Sequence, residues 1–246
     1  MTASVQKRPL PVPVRVVRKR ALSALLVVAS VVADIRTANV GLAQDAPGMQ
    51  RSTSDRPDDV SGAQIHVMYV LPADGDDERL DTNGSISTSI AAAQTWFSTR
   101  ADGRRLRFDT ADGKLDITFL RLARSSNDLA AHGLFIREAI QDEMKKAGFD
   151  ARDKIYLVYY GGRSETCGGS SWPPTVSGNV TALYLRGTPP HARPCRFNAF
   201  ANTVGRTGYW ETAALHEVLH SLGAVATCAP NHTRAGHVSD DPRDLM

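Results

Sequence analysis

Ile155-Tyr156-Leu157-Val158-Tyr159-Tyr160 is an unbroken apolar and aromatic run, with no alternation that would leave one face for water. A run of that kind is found in strands covered on both faces, so it belongs inside a sheet rather than at the surface. Ile65 to Leu71 is a second short, mostly apolar run and reads as another buried strand. Between the two, Ile86, Ile90, Ala93 and Phe97 recur at helical spacing up to about Arg100. A second helix is predicted from about Leu129 to Ala147, with Leu129, Ile136, Ile140 and Met144 on one face and Gly148 as its stop. Leu106-Arg107-Phe108 and Leu115 to Phe119 alternate around Asp112-Gly113, a pair that tolerates the positive φ angles of a tight hairpin turn. Val180 to Leu185 is a further strand, and residues 163–179, rich in Gly, Ser and Pro, read as a long loop. No internal repeat is visible. The expected class is α+β, built on a mixed sheet.

The 246 residues suffice for one sizeable domain. The net charge of +3 is unevenly spread: residues 1–43 hold 7 Lys/Arg against Asp34 alone, which leaves 22 basic and 25 acidic residues beyond them. No basic stripe remains to argue for nucleic acid. Arg18-Lys19-Arg20 precedes a 13-residue apolar run, Ala21 to Ala33. As a helix that run spans about 20 Å, short of a bilayer core of about 30 Å. A basic start, a short apolar stretch and nearby small residues form a signal-peptide pattern over 1–43, with Ala33 and Ala43 both open as cleavage points. The expectation is an exported chain, secreted or periplasmic, with no stable membrane association once the leader is removed. Residues 44–62 lack apolar periodicity and read as a flexible linker or pro-segment, with the folded domain over 63–246.

Three cysteines, Cys167, Cys195 and Cys228, all follow the leader, so an oxidising compartment makes a disulfide reasonable. Three single bridges can be drawn, of which Cys167–Cys195 is favoured, leaving Cys228 over.

Residues 212–223 carry the chemistry. Ala213, Ala214, Leu215, Leu219 and Leu222 favour helix, Thr212 can cap its start and Gly223 can end it. Within it stands His216-Glu217-x-x-His220. Histidines four apart share one helical face, so two imidazoles can reach one ion. Glu217, offset by about 100°, stands where it can take a proton from an activated water. Zinc suits such a site, because it acidifies water and polarises a carbonyl.

The stretch His216 to Gly223 resembles the active-site helix of the zincin metallopeptidases. Gly223, three residues past the second histidine, is similar to the metzincin-like branch, in which glycine turns the chain toward a third ligand. Asp244-Leu245-Met246 resembles that branch's Met-turn, with Met246 as its methionine, and Ala229-Pro230 with Gly236 to Asp240 is similar to secreted bacterial members. The resemblance covers about 212–246. It implies a zincin-like mixed twisted sheet with a backing helix, a Zn2+ cofactor, and metalloendopeptidase activity on protein or peptide substrates. One position departs from the pattern: Ala226 stands where the branch carries its third ligand. His232, His237, Asp240, Asp241 and Asp244 are the remaining candidates. His237 is preferred, since neutral imidazole suits zinc and Gly236 permits a close approach. Asp240 is a candidate to orient a ligand from behind. Ending on Met246, without the tyrosine that often follows in the family, suggests a domain truncated at its C-terminus.

Two other readings stay open: a zinc hydrolase of a non-protein amide, and a non-catalytic secreted zinc-binding protein. The acidic stretch Asp74 to Asp81 lacks the glutamate of a calcium loop and reads as solvated. A monomer is expected.

Overall fold

The structure is a computed structural model that describes residues 50–241 and 244–246. The expected signal peptide, 1–43, lies outside the described residues. The elements are β1 (Gln64–Leu71), α1 (Ser85–Arg100), β2 (Thr110–Ala111), β3 (Lys114–Leu115), β4 (Ile117–Arg121), α2 (Ser126–Ala130), α3 (Ile136–Lys146), β5 (Lys154–Tyr160), β6 (Gly168–Trp172), β7 (Val176–Tyr184) and α4 (Tyr209–Ser221). Five strands form one mixed sheet in the order β4-β1-β5-β7-β6. β4, β1, β5 and β7 run parallel; β6 pairs antiparallel to β7 and lies at the edge.

β5 is central and covered on both faces, as its composition requires. Leu157 and Tyr159 join one apolar cluster with Val67, Tyr69, Ile86, Ile90, Trp210, Ala214 and Val218, so α1 and α4 lie on that face. Tyr156, Val158 and Tyr160 point the other way, to Ile136, Ile140 and Met144 of α3. β1, β5 and β7 thus feed two cores with alternate residues. Among the described residues no helix is long and apolar enough to cross a membrane.

The predicted second helix is broken in two. Gly133 adopts φ +55, and a short 3-10 turn, Gly133–Phe135, separates α2 from α3. The hairpin turn is as expected, with Asp112 at φ 53 and Gly113 at φ 71. Its arms are only β2 and β3, because Ile117–Arg121 leaves the hairpin to pair with β1. The stretch read as a long loop contains β6, whose Gly-Gly-Ser-Ser sequence carries no strand signal of its own and is held by β7. Cys167 and Cys195 are disulfide-bonded, Cα–Cα 5.6 Å, which ties the residue before β6 to the segment ahead of α4; Cys228 is free and exposed.

From residue 50 the expected flexible linker is instead a strap along the β4 side of the sheet. Ser52 bridges Thr118, and its carbonyl accepts the Phe119 amide at 2.8 Å. Arg51 reaches Asp77 (2.5 Å) and Asp81 (2.6 Å) with its guanidinium over the Phe119 ring. Arg186 pairs with Asp76 and Glu78. The acidic loop is solvated as expected at Asp74, Asp76, Asp77 and Glu78, which are exposed even where they are ion-paired, while Asp81 is buried. Arg56 pairs with buried Asp116, while Lys154, at the start of β5, gathers Asp55, Asp58 and Asp109 at 2.7–2.8 Å. Asp109 also accepts from His66 at 2.7 Å. These contacts are between charges, so no apolar period could announce them.

Burial alone would raise the Asp109 carboxyl, but the hydrogen bonds from His66 and Lys154 outweigh it and hold the group below its ordinary range. Its contribution to stability is complete above the unfolded carboxylate value, about 3.9, and is lost as pH falls through the lower folded value. Removing the cation strands a buried carboxylate. Lys154→Met is expected to destabilise the domain by about 3–5 kcal/mol, read by urea unfolding at neutral pH; a loss under about 1 kcal/mol would mean the cluster is not closed in solution.

Candidate metal centre

Helix α4 is set in place by a buried carboxylate. Glu211 accepts the Gly208 amide (2.8 Å), the Ala201 amide (3.0 Å) and the Ser89 hydroxyl of α1 (2.5 Å), so the helix begins a turn before the Thr212 cap expected from sequence. The Trp210 indole N–H donates to the Asn198 carbonyl at 3.0 Å. At the other end Gly223, φ +74, stops the helix as predicted, its amide returning to His220.

His216, His220 and His237 converge. Their Nε2 atoms stand 3.1 Å (His216–His220), 3.2 Å (His220–His237) and 3.3 Å (His216–His237) apart. The other ring nitrogen of His216 donates to the Leu245 carbonyl at 2.6 Å, and that of His237 to the Arg234 carbonyl at 3.2 Å. With the proton on Nδ1 in both rings, their Nε2 atoms present bare lone pairs to one another. Burial, then the neighbouring His216 and His237, pushes His220 down to about 4; that ring is neutral at pH 7 and its buried Nδ1 has no hydrogen-bond partner among the described residues.

This donor set fits a zinc ion. Four-coordinate zinc with Zn–N bonds of about 2.0–2.1 Å requires ligand–ligand edges of about 3.3–3.4 Å, close to what the three nitrogens span. Three imidazoles held edge to edge with lone pairs inward repel one another unless a cation lies between them.

Glu217 is next along α4 and rests against the edge strand. A Cβ on Gly168 would fall 2.2 Å from Glu217 Oε1, so the carboxylate occupies the room this glycine leaves. Burial raises the Glu217 carboxyl to about 7, against the Ser170 hydroxyl bond and nearby His237, which lower it. Near neutrality it can therefore both accept and release a proton.

Trp172, at the end of β6, carries the loop that delivers His237. Its ring stacks on His232, centroids 5.7 Å apart and planes 9° apart, and Gly236, φ +74, lies so close that a Cβ would come within 2.5 Å of Trp172 Nε1. The Thr233 amide donates to the His237 carbonyl at 2.7 Å. Of the five third-ligand candidates, His237 alone shares a metal-capable group with His216 and His220. His232 supports the loop, Asp240 accepts the side-chain amide of Asn231, and Asp244 accepts the Met246 amide at 3.0 Å. Backbone carbonyls orient His216 and His237, the role considered for Asp240. Met246 is buried, and its carbonyl accepts the Val238 amide at 3.0 Å. Gly168, Ser170 and Trp172 escaped the sequence reading; the one signal available was the glycine pair itself.

A second group, Asp55, His66, Asp109 and Asp116, brings ligand-type atoms together, but Lys154 and Arg56 already neutralise its carboxylates. Compared with protein-family models and with curated proteins, the chain matches none.

Gly236→Ala tests the loop. The left-handed backbone and the Trp172 contact both oppose a methyl group, so His237 should be displaced and Zn2+ affinity, measured by competition with a chromophoric chelator, should fall about 10–100-fold. An unchanged affinity would exclude His237 as a ligand.

Proposed function

We propose that this chain is an exported zinc-dependent endopeptidase of the zincin type, in the metzincin-like branch. The observation that carries the reading is the triangle of imidazole Nε2 atoms with a carboxylate one residue from the first of them on the same helix. The antiparallel edge strand beside α4, the buried methionine after Leu245, the disulfide and the leader read from the sequence all support it. Zinc held by His216, His220 and His237 would supply a polarised carbonyl and an acidified water.

The chain's own residues do the rest. Glu217, poised near neutrality by its burial, takes the proton of the attacking water and returns it to the leaving amine. Ser170 lowers that carboxyl, and Gly168 leaves the room it occupies beside the edge strand. Peptide substrate lies extended along an edge, pairing main chain with main chain. The strand over Val180–Leu185 does not offer that edge, since β7 is paired with both β5 and β6. The edge is β6.

Purified protein should bind about one zinc per chain and cleave casein in a chelator-sensitive manner. Glu217→Gln should keep the metal and lose at least about 10²-fold in kcat, whereas His216→Ala should lose both metal and turnover. Hydrolysis by Glu217→Gln near the wild-type rate sinks the mechanism. Turnover of small amides but not casein would move the assignment to a non-protein amide.

A further inference from the structure

Two successive glycines of β6 face opposite sides of the sheet. The space beside Gly168 is filled by Glu217, and the space beside Gly169 opens on the Tyr184 hydroxyl, 3.0 Å from where its Cβ would stand. A peptide paired along β6 alternates in the same way. A substrate side chain adjacent to one that faces Glu217 therefore turns to the Tyr184 side.

On that side lies a cavity of about 330 Å³, walled by Leu134, Phe135, Ile136, Val176 and Tyr184 and bordered by Gly169. This is the small end of the range for ligand pockets, about 300–1,000 Å³. Leu134 is 81% exposed and Phe135 69%, consecutive large apolar residues presented to water by the kink at Gly133. Arg137, Glu138 and Glu165 also border the cavity; Arg137 and Glu138 pair with each other at 2.7 Å, which leaves the exposed Glu165 as a charge at the rim and the apolar wall to Leu134 and Phe135.

We propose that this cavity is a specificity subsite for a bulky apolar substrate side chain (Leu, Phe or Tyr), with Leu134 and Phe135 as the residues that read it. The proposal rests on the peptidase reading above. Substrate continuity along β6 names the occupant: one side chain reaches the site face while its neighbour enters the apolar cavity. Glycine at 169 keeps the passage between edge and cavity clear.

The test is cleavage of a peptide library by wild type and by the Leu134→Ser/Phe135→Ser double variant, with and without chelator. Both positions are exposed, so the variant should fold, which thermal unfolding checks independently. Wild type should favour Leu, Phe or Tyr over Gly at one fixed subsite by at least about 10-fold in kcat/KM. The variant should lose that preference, its kcat/KM for Leu, Phe and Tyr peptides falling about 10-fold toward that for Gly peptides. Chelator-sensitive cleavage with the same profile in both proteins, or a preference for Lys or Arg at that subsite, overturns the subsite and leaves the peptidase reading standing. No chelator-sensitive cleavage by zinc-loaded wild type overturns the peptidase reading itself, and this inference with it.

Discussion

Three imidazole lone pairs aimed at one point are unfavourable by themselves, and the architecture around them exists to hold them there. Two rings are fixed by main-chain carbonyls, Leu245 for His216 and Arg234 for His237. The third is desolvated on α4, so it stays neutral. A carbonyl accepting from Nδ1 settles the tautomer as firmly as a carboxylate would, without adding negative charge behind the ligand. Rigidity comes from further out, from Glu211 clamping the start of α4 to α1 and from Trp172 beneath the returning loop.

Those supports span the sequence. Ser89, Trp172, Glu211 and Leu245 belong to four distant segments, and only a sheet with its strands in this order lets them act on one helix. The antiparallel edge strand carries two duties within three residues: Gly168 makes room for the Glu217 carboxylate, and Ser170 offsets part of the rise that burial imposes on it. A larger residue at 168 would push the carboxylate off the strand, however sound the ligand triangle.

What could be read from the chain depended on the kind of contact. Apolar runs and helical periods reveal burial, so β1, β5, β7, α1 and α4 were legible, as was the spacing of His216, Glu217 and His220. His237 was legible only as the preferred member of a set, because Ala226 broke the pattern and loop geometry is not written in spacing. β6 was invisible: Gly-Gly-Ser-Ser owes its extended form to β7 and its composition to its neighbours across the sheet. The strap from residue 50 misled for a related reason. Its order comes from Arg51, Asp55, Arg56 and Asp58 finding opposite charges up to about a hundred residues away, which looks like a solvated tail in one dimension.

The strap also changes the balance between the sheet's two rims. Ser52 sits against β4 and satisfies part of that rim from within the chain, whereas β6 has no strand on its outer side among the described residues. An unpaired rim invites stacking with a second copy as readily as pairing with a peptide. Glycines with little strand preference and the register break between Ser170 and Trp172 make it a poor template for long, flat association. A short guest can still be gripped where a whole neighbouring sheet would not fit.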